Sequence, residues 1–191
     1  KSCPLQGTRG ESIDVENKRN VVIMLDWQYF PKSDAIPIHL FGIIDVFTKH
    51  QHAIESPGKT LVSNEVLAIL REDLVALDFN VESGKKASEK IRIPVLFGRK
   101  GKPELSFEAD AAHYGNGTVI EIEAGRAVAN YQFLKDLFQA SVMHGIFYAV
   151  IAVRNVYKGT RDFEKTVGFI DTLYASGRLK LPLQGVLIIG Y

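Results

Sequence analysis

Apolar positions in this chain recur with two periods, and the switches between them mark out its elements. Val21–Leu25 is a short β-branched run and predicts a strand. Pro37 can open a helix, with Leu40, Phe41, Ile44 and Phe47 following at helical spacing, until Ser56-Pro57-Gly58 breaks the pattern. Val62, Val66, Leu70, Leu74 and Leu77 predict an amphipathic helix over about 61–77. Asp78–Glu82 reads as a short strand, and Ile91–Phe97 as an apolar strand inside a basic connection from Gly84 to Lys102. Glu104–Ala111 alternates with period two and predicts one strand. His113-Tyr114-Gly115-Asn116-Gly117 is a turn, with Asn-Gly as its hairpin signal, and Thr118–Ala124 is the returning strand. Ala127, Tyr131, Leu134, Phe138 and Val142 predict the next helix by their spacing. Ile146–Val153, apolar throughout, reads as a central strand covered on both faces. Thr160 is placed to cap a helix carrying Phe163, Val167, Ile170 and Leu173, with Gly177 beyond it, and Gly185–Gly190 is a last strand. The order α-β-β-β-α-β-α-β predicts an α/β fold, a central mixed sheet flanked by helices.

The hairpin carries the chemistry. On its first strand Leu105, Phe107 and Ala109 share one face, with Glu108 and Asp110 on the other. On its second strand Ile120, Ile122 and Ala124 oppose Glu121 and Glu123. A turn centred between Gly115 and Asn116 sets Asp110 opposite Glu121, and one centred a residue later sets it opposite Glu123. Either register gathers Glu108, Asp110, Glu121 and Glu123 on one patch. Like charges opposed across a ladder destabilise it, and no basic residue stands between Glu104 and Gly125. A hard divalent cation such as Mg²⁺ is one way to neutralise such a patch, a solvated polar face being the plainer reading.

Helix, strand, an Asp-bearing hairpin, E-x-E, helix and strand together resemble the core of the PD-(D/E)xK nuclease superfamily, over about 61–153. The resemblance implies a restriction-endonuclease-like α-β-β-β-α-β core. It also implies that Asp110, Glu121 and the main-chain carbonyl of Ile122 bind Mg²⁺, with Mn²⁺ able to substitute. Two departures stand out. Ala109 replaces the usual Pro, and Glu123 replaces the usual Lys, an E-x-E variant also seen in BamHI-like restriction enzymes. Glu123 would then orient or deprotonate the attacking water or bind a second ion. The missing cation would come from Arg126 or Lys135, both read as lying on the following helix, whose N-terminal end would also face phosphate. Glu65 is a candidate outer ligand.

Composition narrows the partners. The 191 residues suit one domain with a polar arm at 1–19, the nuclease-like core, and a C-terminal helix and strand over 154–191. With a formal charge of +1 the chain is no polycation, so contacts with double-stranded DNA must come from a local cluster: Lys85, Lys86, Lys90, Arg92, Arg99, Lys100 and Lys102. A single cysteine, Cys3, excludes an internal disulfide and favours a reducing, cytoplasmic and nucleoid-associated setting. The first twenty residues lack an apolar signal core, and the absence of an initial Met reads as a trimmed chain or a fragment. No apolar run is long enough for a membrane span.

The sequence therefore predicts a Mg²⁺-dependent DNA endonuclease of type II restriction character. It would act as a homodimer through Pro37–Phe47 and Thr160–Tyr191, since one site cuts one strand. The alternatives are a repair or junction-resolving nuclease of the same fold, a non-catalytic DNA-binding or assembly protein that retains it, and an unrelated metal-binding α/β protein.

Overall fold

The computed structural model describes residues 25–191. The predicted arm at 1–19, Cys3, and all of the Val21–Leu25 strand except Leu25 lie outside them. The described chain begins with strand β1 (Asp26–Phe30) and helices α1 (Ile38–Ile54) and α2 (Ser63–Ala76). Strands β2 (Asn80–Val81), β3 (Ile91–Phe97), β4 (Pro103–Ala109), β5 (Ala111–His113) and β6 (Thr118–Glu123) follow. The remainder is α3 (Gln132–Val142), β7 (Tyr148–Val153), α4 (Asp162–Ser176) and β8 (Gly185–Gly190).

This is a mixed α/β fold. Six strands form a sheet in the order β1-β8-β7-β6-β5-β2, and β3 and β4 form a separate two-stranded ribbon. Strands β6, β7 and β8 are parallel. β1, β5 and β2 join antiparallel and complete a mixed sheet. The parallel strands read as unbroken apolar runs because helices cover both faces. α1 and α2 pack through Leu40, Phe47, Leu67 and Leu70 onto Ile120, Ile122, Val150 and Leu187. On the other face α3 and α4 set Phe133, Leu137, Phe163 and Ile170 against Val119, Ile151, Val153 and Ile188.

Three predicted elements differ. The strand expected over Glu104–Ala111 is two strands. β4 pairs with β3, β5 pairs with β6, and Ala109 and Ala111 pack into opposite sides of the sheet rather than sharing one face. Alternation reports a pleat, not which partner each half will find. The helix expected from Ala127 begins at Gln132, after Tyr131 in the left-handed region at φ 52°, so Arg126 lies in the preceding loop. It is also turned. Phe133, Asp136, Leu137 and Ala140 are buried, while Tyr131, Leu134, Phe138 and Val142 are 52%, 36%, 60% and 40% exposed. Two apolar stripes lie side by side on α3, and periodicity alone does not choose between them. Finally, α4 begins after Arg161, and Thr160 instead pairs with Tyr157. The Pro37–Phe47 and Thr160–Tyr191 segments expected at a dimer interface are divided: Leu40, Ile44, Phe47, Phe163, Ile170 and β8 are buried in the core, while Ile38, Phe41, Phe169 and Leu179 are exposed.

Candidate active site

β4 leaves the ribbon at Ala109, and the chain enters the main sheet at Ala111. Asp110 is the hinge between them. Its main-chain carbonyl accepts the Glu82 N–H at 2.8 Å on the β2 side. Its side-chain Oδ2 accepts the Ile122 N–H at 2.7 Å on the β6 side. The β5–β6 ladder stops at Ala111 opposite Ile120, so the carboxylate serves the next main-chain donor of β6 where no strand remains. The N–H and C=O of one strand residue point to the same edge, so the Ile122 carbonyl also faces Asp110. This is the first of the two registers expected, with Asp110 level with Glu121.

Glu121 and Glu123 project from β6 to the face that α3 covers, since Ile120 and Ile122 occupy the other. The two do not open into the same space. Asp110 and Glu121 line a groove with Glu82, Lys90, Lys135 and Gln139. Glu123 lines an adjoining cleft with Ser63, Arg126, Gln132 and Lys135. Lys135 is common to both.

Burial raises the pKa of Asp110, Glu121, Glu123 and Asp136. Asp110 is pushed up to about 6 by burial, with the Ile122 N–H pulling it down and the Glu82 and Asp136 charges adding to the rise. Glu121 lies well above the usual range, from burial first and then the Asp110 charge. Glu123 is pushed up to about 7 by burial first and then by the neighbouring charge of Asp136. Asp136 is 2% exposed; its Oδ1 lies 3.4 Å from Lys135 Nζ. Its Oδ2 meets no hydrogen-bond donor among the described residues.

Several expected site residues have other duties. Glu65 Oε2 accepts the Val62 N–H at 2.8 Å and caps α2. Glu108 lines the groove but is neutralised by Arg92 at 3.1 Å and by Lys90 at 3.8 Å. It forms no unpaired acidic patch with the others, because β4 pairs with β3 instead of β6. Lys90 and Arg92 are likewise engaged, Lys90 with the buried Glu82 at 2.6 Å. Lys85 and Lys86 are exposed in the loop before β3. Arg99, Lys100 and Lys102 are exposed at the tip of the ribbon, about 20 Å along β3 from its base at the rise of an extended strand. The basic set is therefore split into a paired group beside the acids and an open group at the ribbon tip.

Glu82 and Asp136 were not singled out from sequence. Asp136 had a signal, being the polar member of the Phe133-x-x-Asp136-Leu137-x-x-Ala140 stripe. Glu82 had none, because its partner Lys90 is brought in by the ribbon. Two carboxylates and a main-chain carbonyl on one edge offer hard oxygen donors in the number Mg²⁺ takes from a protein, the rest being waters and substrate phosphate. Among the described residues no group of three or more His, Cys, Asp and Glu is placed to hold a metal ion. Also among them, no helix is long and apolar enough to cross a membrane.

No family model and no curated protein sequence matches the chain. Among solved structures, the crystal structure of free BglII is similar over 88% of this chain and 79% of that chain, at 12% sequence identity and a TM-score of 0.47.

Proposed function

We propose that this protein is a Mg²⁺-dependent DNA endonuclease of the restriction-endonuclease-like type, hydrolysing phosphodiester bonds in duplex DNA. The observation that carries the reading is the Asp110 hinge. One carboxylate is fixed on the Ile122 N–H at 2.7 Å, with Glu121 and the Ile122 carbonyl beside it, at a groove edged by Lys90 and Lys135.

Asp110, Glu121 and the Ile122 carbonyl would hold the ion. Mg²⁺, with Mn²⁺ as a substitute, would supply charge neutralisation at the scissile phosphate. Glu123, with its pKa near 7, is suited to take a proton from the attacking water at neutral pH. Lys135 reaches both spaces and supplies the positive charge that the third motif position lacks, with Arg126 beside it. Cutting both strands at one position calls for two such sites, hence a homodimer.

A second reading, a DNA-binding protein that retains the fold without cutting, has one observation in its favour. Glu123 turns to Asp136 in the adjoining cleft, so the third motif position brings neither a cation nor a third carboxylate to the Asp110 groove. Plasmid DNA incubated with wild-type protein, Mg²⁺ or EDTA, and with Asp110→Asn separates the two. Discrete fragments with Mg²⁺ alone, lost in the variant while its DNA binding is kept, are expected. Cleavage by Asp110→Asn at the wild-type rate overturns the site assignment, and binding without cleavage by wild type establishes the second reading.

A further inference from the structure

The carboxyl ends of the parallel strands hold cations that the proposed chemistry does not use. Arg154 follows directly on β7 and is 8% exposed. One guanidinium nitrogen donates to the Leu61 carbonyl. Among the described residues no carboxylate lies within ion-pair distance of it. Asp162 senses its charge only from farther away. A buried cation without a counter-ion is costly, and an anion arriving beside it relieves that cost.

The surroundings are built to one shape. The Arg154 guanidinium carbon lies 5.5 Å from the centroid of the Tyr157 ring, and Lys158 Nζ lies 5.3 Å from the same centroid. Two cations thus share one aromatic ring. The ring is seated on Gly125, just past the end of β6. That residue has φ 127°, and a Cβ on it would come within 2.5 Å of a Tyr157 ring carbon. Lys158 stands in a tight turn with φ 47°, followed by Gly159 at φ 79°. Tyr157 and Thr160 close that turn with two main-chain hydrogen bonds of 2.8 Å each. Positive φ at both central residues is the type I′ pattern, a stiff mount for a lysine.

Arg154, Tyr157 and Lys158 line a cleft of about 360 Å³ that also includes Val62 and Ala124. Val62 and Ala124 belong to the Glu123 cleft as well, and that cleft shares Lys135 with the Asp110 groove. The three spaces follow one another from the acids to the free cations.

We propose that Arg154, Lys158 and Tyr157 form a phosphate-binding subsite that holds the nucleic-acid backbone at a phosphate beyond the one that reacts. The phosphate specificity follows from the cations. Its assignment to a nucleic acid rests on the nuclease reading above.

Two arms test it. In the first, inorganic phosphate is titrated into wild-type protein at low salt, and the amide resonances of Gly125, Lys158 and Gly159 are followed by NMR. Saturable shifts that vanish in Lys158→Ala are expected, and no shift at these amides overturns the subsite whatever DNA does. In the second, binding of a labelled duplex is measured in EDTA against KCl concentration. Lys158→Ala is expected to weaken binding alike for unrelated sequences and to flatten the log–log salt slope by about 0.9, one phosphate contact. Lys180→Ala, an exposed cation near the opposite ends of the strands, should leave the slope unchanged. Arg154→Lys, which keeps the charge if Arg154→Ala fails to fold, should lower affinity with little change of slope. A phosphate response with a wild-type slope in Lys158→Ala overturns the backbone assignment in favour of a free phosphorylated ligand. If wild-type protein binds no duplex at all, the nuclease reading fails, and the phosphate arm alone decides the subsite.

Discussion

Replacing Asp110 by Asn should stabilise the metal-free protein, and more so as pH rises. Burial is the main reason its folded pKa reaches about 6 from a usual 3.8. The folded protein therefore holds this proton more tightly than the unfolded chain does. The resulting stabilisation is complete below about pH 4 and is lost as pH rises through about 6. A shift of that size corresponds to about 3 kcal/mol by pH 8, at about 1.36 kcal/mol per pH unit, and to less than 1 kcal/mol near pH 4. Partial solvent access to the groove lowers the upper figure to about 2 kcal/mol. Asn keeps an oxygen for the Ile122 N–H, bonded at 2.7 Å in the wild type, and drops the charge. The variant should therefore gain about 2 kcal/mol at pH 8, or roughly 4–8 °C in Tm for a chain of this size, and little at pH 4.5. Urea unfolding followed by circular dichroism in EDTA at pH 4.5, 6 and 8 measures this directly. Equal gains at pH 4.5 and pH 8, or a loss at pH 8, would refute the claim that Asp110 is a buried, repelled carboxylate. Mg²⁺ should reverse the order, stabilising wild type and leaving Asp110→Asn unmoved.

Glu121→Gln should likewise raise the metal-free Tm and reduce the stabilisation given by Mg²⁺; a lower Tm with an unchanged metal response would assign Glu121 a structural hydrogen bond instead. Lys135→Met removes a charge that lowers the pKa of Glu121, Glu123 and Asp136. Its cleavage rate should fall, and the acidic limb of its rate–pH profile should move to higher pH; an unmoved limb would exclude Lys135 from the titrating group. Wild-type protein is expected to sediment as a dimer at micromolar concentration. Phe138→Glu, in the exposed stripe of α3 where Phe138 is 60% open, should sediment as a monomer; a dimer persisting in the variant would place the interface elsewhere.

The sequence by itself determined most of the elements. Apolar period and turn residues are local properties, so α2, β3, β6, β7 and β8 stand within a few residues of where periodicity puts them. The turn residues leave two Asp110 registers open, between which the sheet chooses the one level with Glu121, and alternation fixes that Glu121 and Glu123 share a face. Only tertiary structure decided what those faces meet. Asp110 occupies the point where the chain passes from the ribbon to the sheet, a choice of strand partners that alternation does not encode. Glu108 finds Arg92 because β4 pairs with β3. α3 carries two apolar stripes about one residue's rotation apart, and it docks with the stripe that brings Asp136 to Glu123, leaving Phe138 outside. Arg154 and Lys158 meet on Tyr157 because β7 ends beside Gly125, at the close of β6. In each case residues far apart in sequence set the charge environment, and Coulomb interactions and burial depend on distance in space, which the order of residues leaves open until the sheet is assembled.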